Sequence, residues 1–434
     1  MGIAGVGDAP ANGVSRQSLA VAAFSTVVEW YDFTLYLYMA TILSRVFFGG
    51  GAGSLAAVLV GFAVSYLMRP LGALAFGSIG DRHGRRAAML ISMALMTAAM
   101  VATALLPTRA QIGPAAAWAL LALRCVMSFS VGGEYTGVVA YLLEGARRDR
   151  RGLVTSSAAA ASEIGALLAA GVSAVTVASL GTAALDAWGW RIPFFVGAAL
   201  AGSVWIMRSW MEESPDFERQ RAGGTVPGSP LRHALARHRT AIARGFAISA
   251  LGSITYYVGI TYVPVFLATV RGTSEGASLR LSVIAAVVVI LVTPVTGMLA
   301  DRWGRRPVLL ALCGCGIVLP ITMFALMASG GSSGGVFWAL VGAVVLAGVG
   351  GGVSAVGAVA TAELLPGEGR MTGLALGATT ATAIFGGLTP LVAQLLIERT
   401  GWPLVPGAMI ALVAACALPV LLGLPETRPL PIRR

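Results

Sequence analysis

The chain contains no lysine: its 30 basic residues are all arginine, set against 19 acids and three histidines. Charged residues of both signs amount to 11% of 434 residues, where a soluble domain carries about 25%, so a solvated surface around one core is excluded. Cys125, Cys313, Cys315 and Cys416 all fall within apolar runs, and the 313/315 pair would sit on different faces of a helix. A disulfide framework and a metal pair are therefore not expected, and neither is a cofactor. No nucleophile is paired with a base, which argues against an enzyme.

What is present is apolar. Hydrophobic residues make up 57% of the chain, mean hydropathy is +0.82, and the apolar residues arrive in runs long enough to cross a bilayer, about 20 residues each. An all-α membrane protein with twelve spans is expected, near 17–43, 54–77, 87–106, 114–144, 152–180, 190–210, 241–270, 278–299, 307–328, 335–364, 371–397 and 402–424. These form two six-helix bundles, 17–210 and 241–424. A cytoplasmic segment 1–16, a Pro- and Gly-rich linker 211–240 and a tail 425–434 complete the chain.

The net charge of +11 could suggest nucleic acid, but its distribution points elsewhere. Only Arg45, Arg109, Arg191, Arg271, Arg280 and Arg399 fall in loops on one side, and Arg69 and Arg124 fall within spans. The remaining 22 arginines, Arg208 counted among them, lie on the other side. Such asymmetry marks the cytoplasmic face and places both termini there, so the partners expected are a lipid bilayer, protons and a small molecule, and not nucleic acid.

One stretch is written twice. Gly77-Ser-Ile-Gly-Asp81-Arg82-His83-Gly84-Arg85-Arg86 recurs as Gly297-Met-Leu-Ala-Asp301-Arg302-Trp303-Gly304-Arg305-Arg306, a shift of 301 − 81 = 220 residues, each copy between two apolar runs. An internal repeat in a membrane chain is the usual mark of a transporter whose substrate path runs between the halves.

Charge inside spans is costly and is functional by default. The first span holds Val28-Glu29-Trp30-Tyr31-Asp32-Phe33; Glu29 lies near mid-depth, and two carboxylates at i and i+3 share a face. Burial and like charge favour proton uptake by one of them, with no basis for choosing which. Arg69-Pro70 in the second span reads as a structural bend with a snorkelling arginine. Arg124 in the fourth span requires a carboxylate or an anionic substrate, and the acids available to it are Glu29, Asp32, Glu134 and, in the fifth span, Glu163. Gly132-Gly133 lets a neighbouring helix approach closely. The second half offers aromatic and hydroxyl groups instead: Thr255-Tyr256-Tyr257, Thr261-Tyr262, and Phe385-Gly386-Gly387-Leu388-Thr389-Pro390 with Gln394. Proton chemistry therefore belongs to the first half, and shape and hydrogen bonds to the second. Trp30, Tyr31, Arg124, Tyr256, Tyr257, Thr389 and Gln394 are the candidate substrate contacts.

The two Gly-x-x-x-Asp-Arg-x-Gly-Arg-Arg loops resemble the signature of the major facilitator superfamily, over the whole chain. More narrowly, Glu29-Trp30-Tyr31-Asp32-Phe33, Met68-Arg69-Pro70-Leu71-Gly72, Val131-Gly132-Gly133-Glu134, Trp190-Arg191-Ile192-Pro193-Phe194-Phe195 and Glu213-Ser214-Pro215 resemble its metabolite:H⁺ symporters. Members of that group carry citrate, 2-oxoglutarate, shikimate, proline and betaine. The resemblance implies a central cavity lined by spans 1, 4, 7 and 10, with two halves that rock about it. The repeated loops would then be latches, with Asp81 and Asp301 accepting from a helix N-terminus or an arginine, and Gly77, Gly84, Gly297 and Gly304 permitting close approach. Drug/H⁺ antiporters of the superfamily carry a Gly-Pro pair in span five that is missing from Glu163-Ile-Gly165-Ala-Leu-Leu-Ala-Ala-Gly171. The expectation is a monomeric, proton-coupled symporter of the inner or plasma membrane that moves an organic acid or zwitterion. An exporter is the nearest rival and a ligand-binding sensor a remote one.

Overall fold

The computed structural model describes residues 14–51, 53–273, 275–329 and 335–428. Most of the expected segment 1–16, and the tail from 429 with Arg433 and Arg434, lie outside the described residues. Among the described residues all regular structure is helical.

The first half comprises α1 (Arg16–Tyr38), α2 (Ala40–Phe48), α3 (Ser54–Tyr66), α4 (Met68–His83), α5 (Arg85–Leu105), α6 (Ala115–Gly145), α7 (Arg151–Ser179) and α8 (Arg191–Ser209). Two short helices, α9 (Pro215–Ala222) and α10 (Pro230–Arg237), follow within the segment expected to be a linker. The second half comprises α11 (Arg239–Tyr256), α12 (Val263–Arg271), α13 (Glu275–Trp303), α14 (Arg305–Ser329), α15 (Gly335–Leu364), α16 (Arg370–Leu374), α17 (Thr389–Thr400) and α18 (Val405–Leu422).

Ten of the described helices are long and apolar enough to cross a membrane, or eleven when α11 and α12 are taken as one span bent by 45°. At 1.5 Å per residue the 23 residues of α1 could also cross a ~30 Å core, but Glu29 and Asp32 lower its hydropathy and it is not among the ten.

Prolines account for the interruptions. Pro70 clashes with the carbonyl four residues earlier, and the second span accordingly breaks at Leu67, between α3 and α4. Pro264 and Pro390 each follow a π-helical turn, Tyr257–Thr261 and Ala383–Gly387, where the widened backbone absorbs the missing N–H. The bent seventh span results from the first of these.

Each half has its own core. Met93, Met96, Met100, Trp190 and Phe194 fill the first; Leu251, Leu309, Val353 and Leu421 fill part of the second. The halves meet along α7 against α13 and α4 against α16. Inside the first half, α4 and α6 cross almost backbone to backbone: a Cβ on Gly132 would lie 2.0 Å from the Arg69 carbonyl oxygen, and one on Gly72 would lie 1.8 Å from that of Phe129. Because backbone cannot yield as a side chain can, Gly132→Leu is expected to cost at least the ~1–3 kcal/mol of overpacking, read as loss of monodisperse protein on gel filtration. A folded, wild-type-like Gly132→Leu protein would contradict the crossing.

Candidate functional site

The two repeated loops lie at one end of the bundle, and here the halves are tied by a pseudo-symmetric set of bonds. Asp81 accepts from the backbone N–H groups of Met371 (3.2 Å) and Thr372 (2.8 Å), at the start of α16. Asp301 accepts from those of Gly152 (2.8 Å) and Leu153 (2.9 Å), at the start of α7. Each aspartate thus caps a helix N-terminus of the opposite half, where unpaired N–H groups and the helix dipole favour an anion.

Arg85 donates to Glu144 (3.0 Å) and to the Gly367 carbonyl (2.7 Å), and Arg305 donates to Glu363 (2.9 Å). Gly84 and Gly304, at φ +109° and +111°, make the turns that a side chain would strain. Gly297 lets the α7 backbone approach, its hypothetical Cβ falling 2.6 Å from the Gly152 carbonyl, and Gly77 sits close to Met371 in the same way. Arg86 and Arg306 bond the Ser209 and Leu422 carbonyls within their own halves. Arg82 and Arg302 are exposed and make none of these bonds.

The tie is tighter on one side. Arg370 reaches Glu144 at 2.6 Å and the linker's Asp216 at 3.0 Å, whereas its repeat mate Arg151 stands 3.8 Å from Glu363. Asp81→Asn, on the tight side, is expected to favour opening of this end, read as about tenfold faster alkylation of a cysteine introduced at Thr361 in a protein otherwise free of cysteine. Unchanged labelling would remove the latch role.

Between these bonds and an aromatic layer lies a cavity of about 170 Å³. Glu29 and Trp30 enter it from α1, Arg69 from α4, Tyr135 from α6 and Glu163 from α7; α11 supplies Ser253 and Tyr256, the π-helical turn after it Tyr257, and the far helices add Ser354, Thr361 and Thr382. The second half thus contributes only neutral groups among the lining residues.

The aromatic layer closes the side away from the loops. The hydroxyls of Tyr66 and Tyr257 lie 2.8 Å apart, Trp30 meets Tyr256 edge to face at 5.4 Å, and the Tyr256 hydroxyl donates to Glu163. All three contacts join the two halves.

The four acids predicted from the sequence separate into two kinds. Glu29 and Glu163 face the cavity. Asp32 lies three residues beyond Glu29, 4.5 Å further along α1 and rotated by about 60°, and pairs with Arg124 at 2.7 Å. Arg124, whose guanidinium also lies 4.5 Å from the Tyr36 ring centre, is therefore satisfied by a carboxylate of the protein and does not line the cavity. Glu134 is engaged by Arg208, which also donates to Ser25 and to the Met89 carbonyl. This corrects the placing of Arg208 among the cytoplasmic arginines: it is fully buried near the end of α8.

Three further candidates stand apart from the cavity. Tyr31 points into the first-half core and donates to the Pro193 carbonyl (2.8 Å); Thr389 bonds the Phe385 carbonyl of its own turn; and Gln394 accepts from Tyr262 (2.6 Å). Trp30, Tyr256 and Tyr257 do line it.

The residue that the sequence reading undervalued is Arg69. Its guanidinium lies over the rings of Tyr66 (4.4 Å) and Phe33 (4.9 Å) and 3.9 Å from Glu29, beyond hydrogen-bond distance. Its depth, like that of Arg124, was readable from the sequence. Which of the two arginines had a carboxylate waiting was not.

Comparison with known proteins bears on the family and the fold. The Major Facilitator Superfamily model matches residues 19–335 and again 281–434. The Ectoine/proline transporter ProP of Corynebacterium glutamicum is 33% identical, covering 96% of this chain and 85% of its own. The Citrate-proton symporter of Klebsiella pneumoniae is 30% identical, over 94% and 92%. In three dimensions the proton:xylose symporter XylE superposes with a TM-score of 0.78 at 20% identity, over 95% of this chain and 96% of that one. Matched end to end by that model and by these relatives, the chain belongs to the major facilitator superfamily.

Proposed function

We propose that this chain is a proton-driven symporter that carries a small polar metabolite, an organic acid or zwitterion, inward by alternating access. On this reading α1 and the bent α11–α12 pair join the ten apolar helices to make twelve spans in two bundles of six. The arginine-rich latch end, with both termini, faces the cytoplasm of an inner or plasma membrane, and the unit is a monomer.

The observation that carries the reading is Glu29 beside Arg69, a carboxylate and a guanidinium in a cavity lined by both halves, 3.9 Å apart with no hydrogen bond between them. Such a pair can be parted cheaply. When Glu29 takes a proton, Arg69 is released to an incoming anion; when the halves rock and the substrate leaves, Glu29 can return its proton to the other side. Glu163, bonded across the halves to Tyr256, adds a second acid at the same interface. Asp32 and Glu134 serve as fixed counter-ions of Arg124 and Arg208. Relatives whose names include ectoine, proline and citrate fit the class proposed.

The test uses proteoliposomes with an alkaline lumen, supplied with proline, glycine betaine, citrate or 2-oxoglutarate. A pH gradient is expected to drive at least one of these to about tenfold accumulation, lost on adding a protonophore. Uptake that never exceeds equilibration, or efflux only from loaded vesicles, would replace symport with facilitated diffusion or export.

A further inference from the structure

The charges that reach the cavity are few, and their signs are uneven. Among the lining residues there is one cation, Arg69, and two acids, Glu29 and Glu163. Arg69 is 9% exposed and its Nε has no partner, and one oxygen of Glu29 is likewise buried without one. A buried arginine without a bonded carboxylate is costly. Here the two ring faces hold the guanidinium in place, and the carboxylate beside it, Glu29, stands beyond hydrogen-bond distance, so the planar fork of donors is open to a carboxylate from a ligand. The opposite needs are met near Glu163: Trp30 and Tyr256 present aromatic surface beside the carboxylate, and the Trp30 indole nitrogen is also buried without a partner.

We propose that Arg69 is a carboxylate subsite and that its ligand is a zwitterion, with one carboxylate on Arg69 and a separate cationic pole against Glu163, Trp30 and Tyr256. This rests on the transporter reading and narrows it. A di- or tricarboxylate would bring two or three negative charges to one guanidinium and two acids, and the polar side chains among the described second-half lining residues are all hydroxyls. A zwitterion carries no net charge, so with Glu29 protonated its two poles pair with Arg69 and Glu163 and the cavity as a whole is neutral. The same geometry makes an ionised Glu29 and a bound carboxylate competitors for a single guanidinium, so that proton and substrate enter together.

Binding to purified protein tests this without transport, using glycine betaine, choline and citrate. Choline keeps the quaternary head and lacks the carboxylate, so the betaine-to-choline ratio reads the Arg69 subsite alone. Wild-type protein is expected to bind betaine at least about tenfold more tightly than choline or citrate. Arg69→Gln should bring betaine to within about threefold of choline, whose own binding should not weaken, and Glu163→Gln should weaken both. Because Arg69→Gln can fail to fold, Arg69→Lys, which keeps the charge and loses the fork, is measured beside it with the melting midpoint of each; a partial loss of the betaine preference is expected. A folded Arg69 variant with an undiminished betaine-to-choline ratio, or wild-type protein that prefers citrate, overturns the assignment. Uptake is measured separately: binding of betaine without uptake would end the transport reading and keep the subsite, whereas citrate uptake unaffected by Arg69→Lys would do the reverse.

Discussion

Glu29→Gln is expected to abolish gradient-driven accumulation, lowering it at least tenfold, while counterflow exchange of labelled for unlabelled substrate continues. The argument is geometric. Glu29 is 2% exposed overall, yet it lines the cavity, one of its oxygens has no hydrogen-bond partner, and its contact with Arg69 is long. Glutamine copies the protonated acid in shape and charge, so the substituted protein keeps the state in which Arg69 is free for substrate and loses the step in which the proton is released. Asp32→Asn should behave differently although it lies one helical turn away. It removes half of a 2.7 Å ion pair and leaves Arg124 buried and uncompensated, a defect of about 3–5 kcal/mol, so it should appear in the melting curve before it appears in transport. Gradient-driven accumulation by Glu29→Gln, or a melting midpoint for Asp32→Asn equal to wild type, would reverse these roles.

The second large effect concerns the Glu134–Arg208 pair. Glu134→Val alone or Arg208→Leu alone should destabilise by about 3–5 kcal/mol, because each strands a buried charge. The double variant Glu134→Val/Arg208→Leu should recover most of that loss. The second half shows why. Glu144 and Glu363 correspond at a shift of 219 residues, as partners of Arg85 and Arg305, and the same shift takes Gly132-Gly133-Glu134 to Gly351-Gly352-Val353. The carbonyls that receive Arg86 and Arg306, Ser209 and Leu422, are related by 422 − 209 = 213, which takes Arg208 to Leu421. Val353 and Leu421 are both fully buried in one apolar cluster, so the fold already contains the uncharged solution at this place. The hydroxyls that would be left behind are otherwise occupied: Ser25 donates to the Ala22 carbonyl (2.5 Å) and Ser92 to that of Met89 (3.2 Å). Thermal melts of the four proteins in one detergent give the double-mutant cycle. Uptake by the double variant should remain gradient-driven, which would separate Glu134 from proton movement. A double variant as unstable as the sum of the singles would mean that the charges are required by something other than each other.

The acids and arginines inside spans could be found by depth alone, because lipid gives them no other reason to be there, and Glu29, Glu163 and the aromatic pair Tyr256-Tyr257 indeed line the cavity. Arg208 was not found, because one-dimensional hydropathy ends the sixth span near 210 and cannot tell a snorkelling arginine from one folded back to meet Glu134. The exchange of roles between Arg69 and Arg124 has the same origin. A sequence places both in the membrane, but the rotation of α1 decides which of them receives Asp32.

Composition, run length and the twice-written loop were by themselves enough to determine a helical membrane protein that repeats a loop motif, since hydrocarbon tolerates few backbone solutions and a repeat leaves its mark directly in the order of residues. Tertiary structure alone decided the pairing of charges: the four acids Glu29, Asp32, Glu134 and Glu163 and the arginines Arg69, Arg124 and Arg208 can be matched in many ways, and only the packing angles of α1, α4, α6 and α8 leave Arg69, among the described residues, as the one cation facing the cavity with no carboxylate in hydrogen-bonding distance.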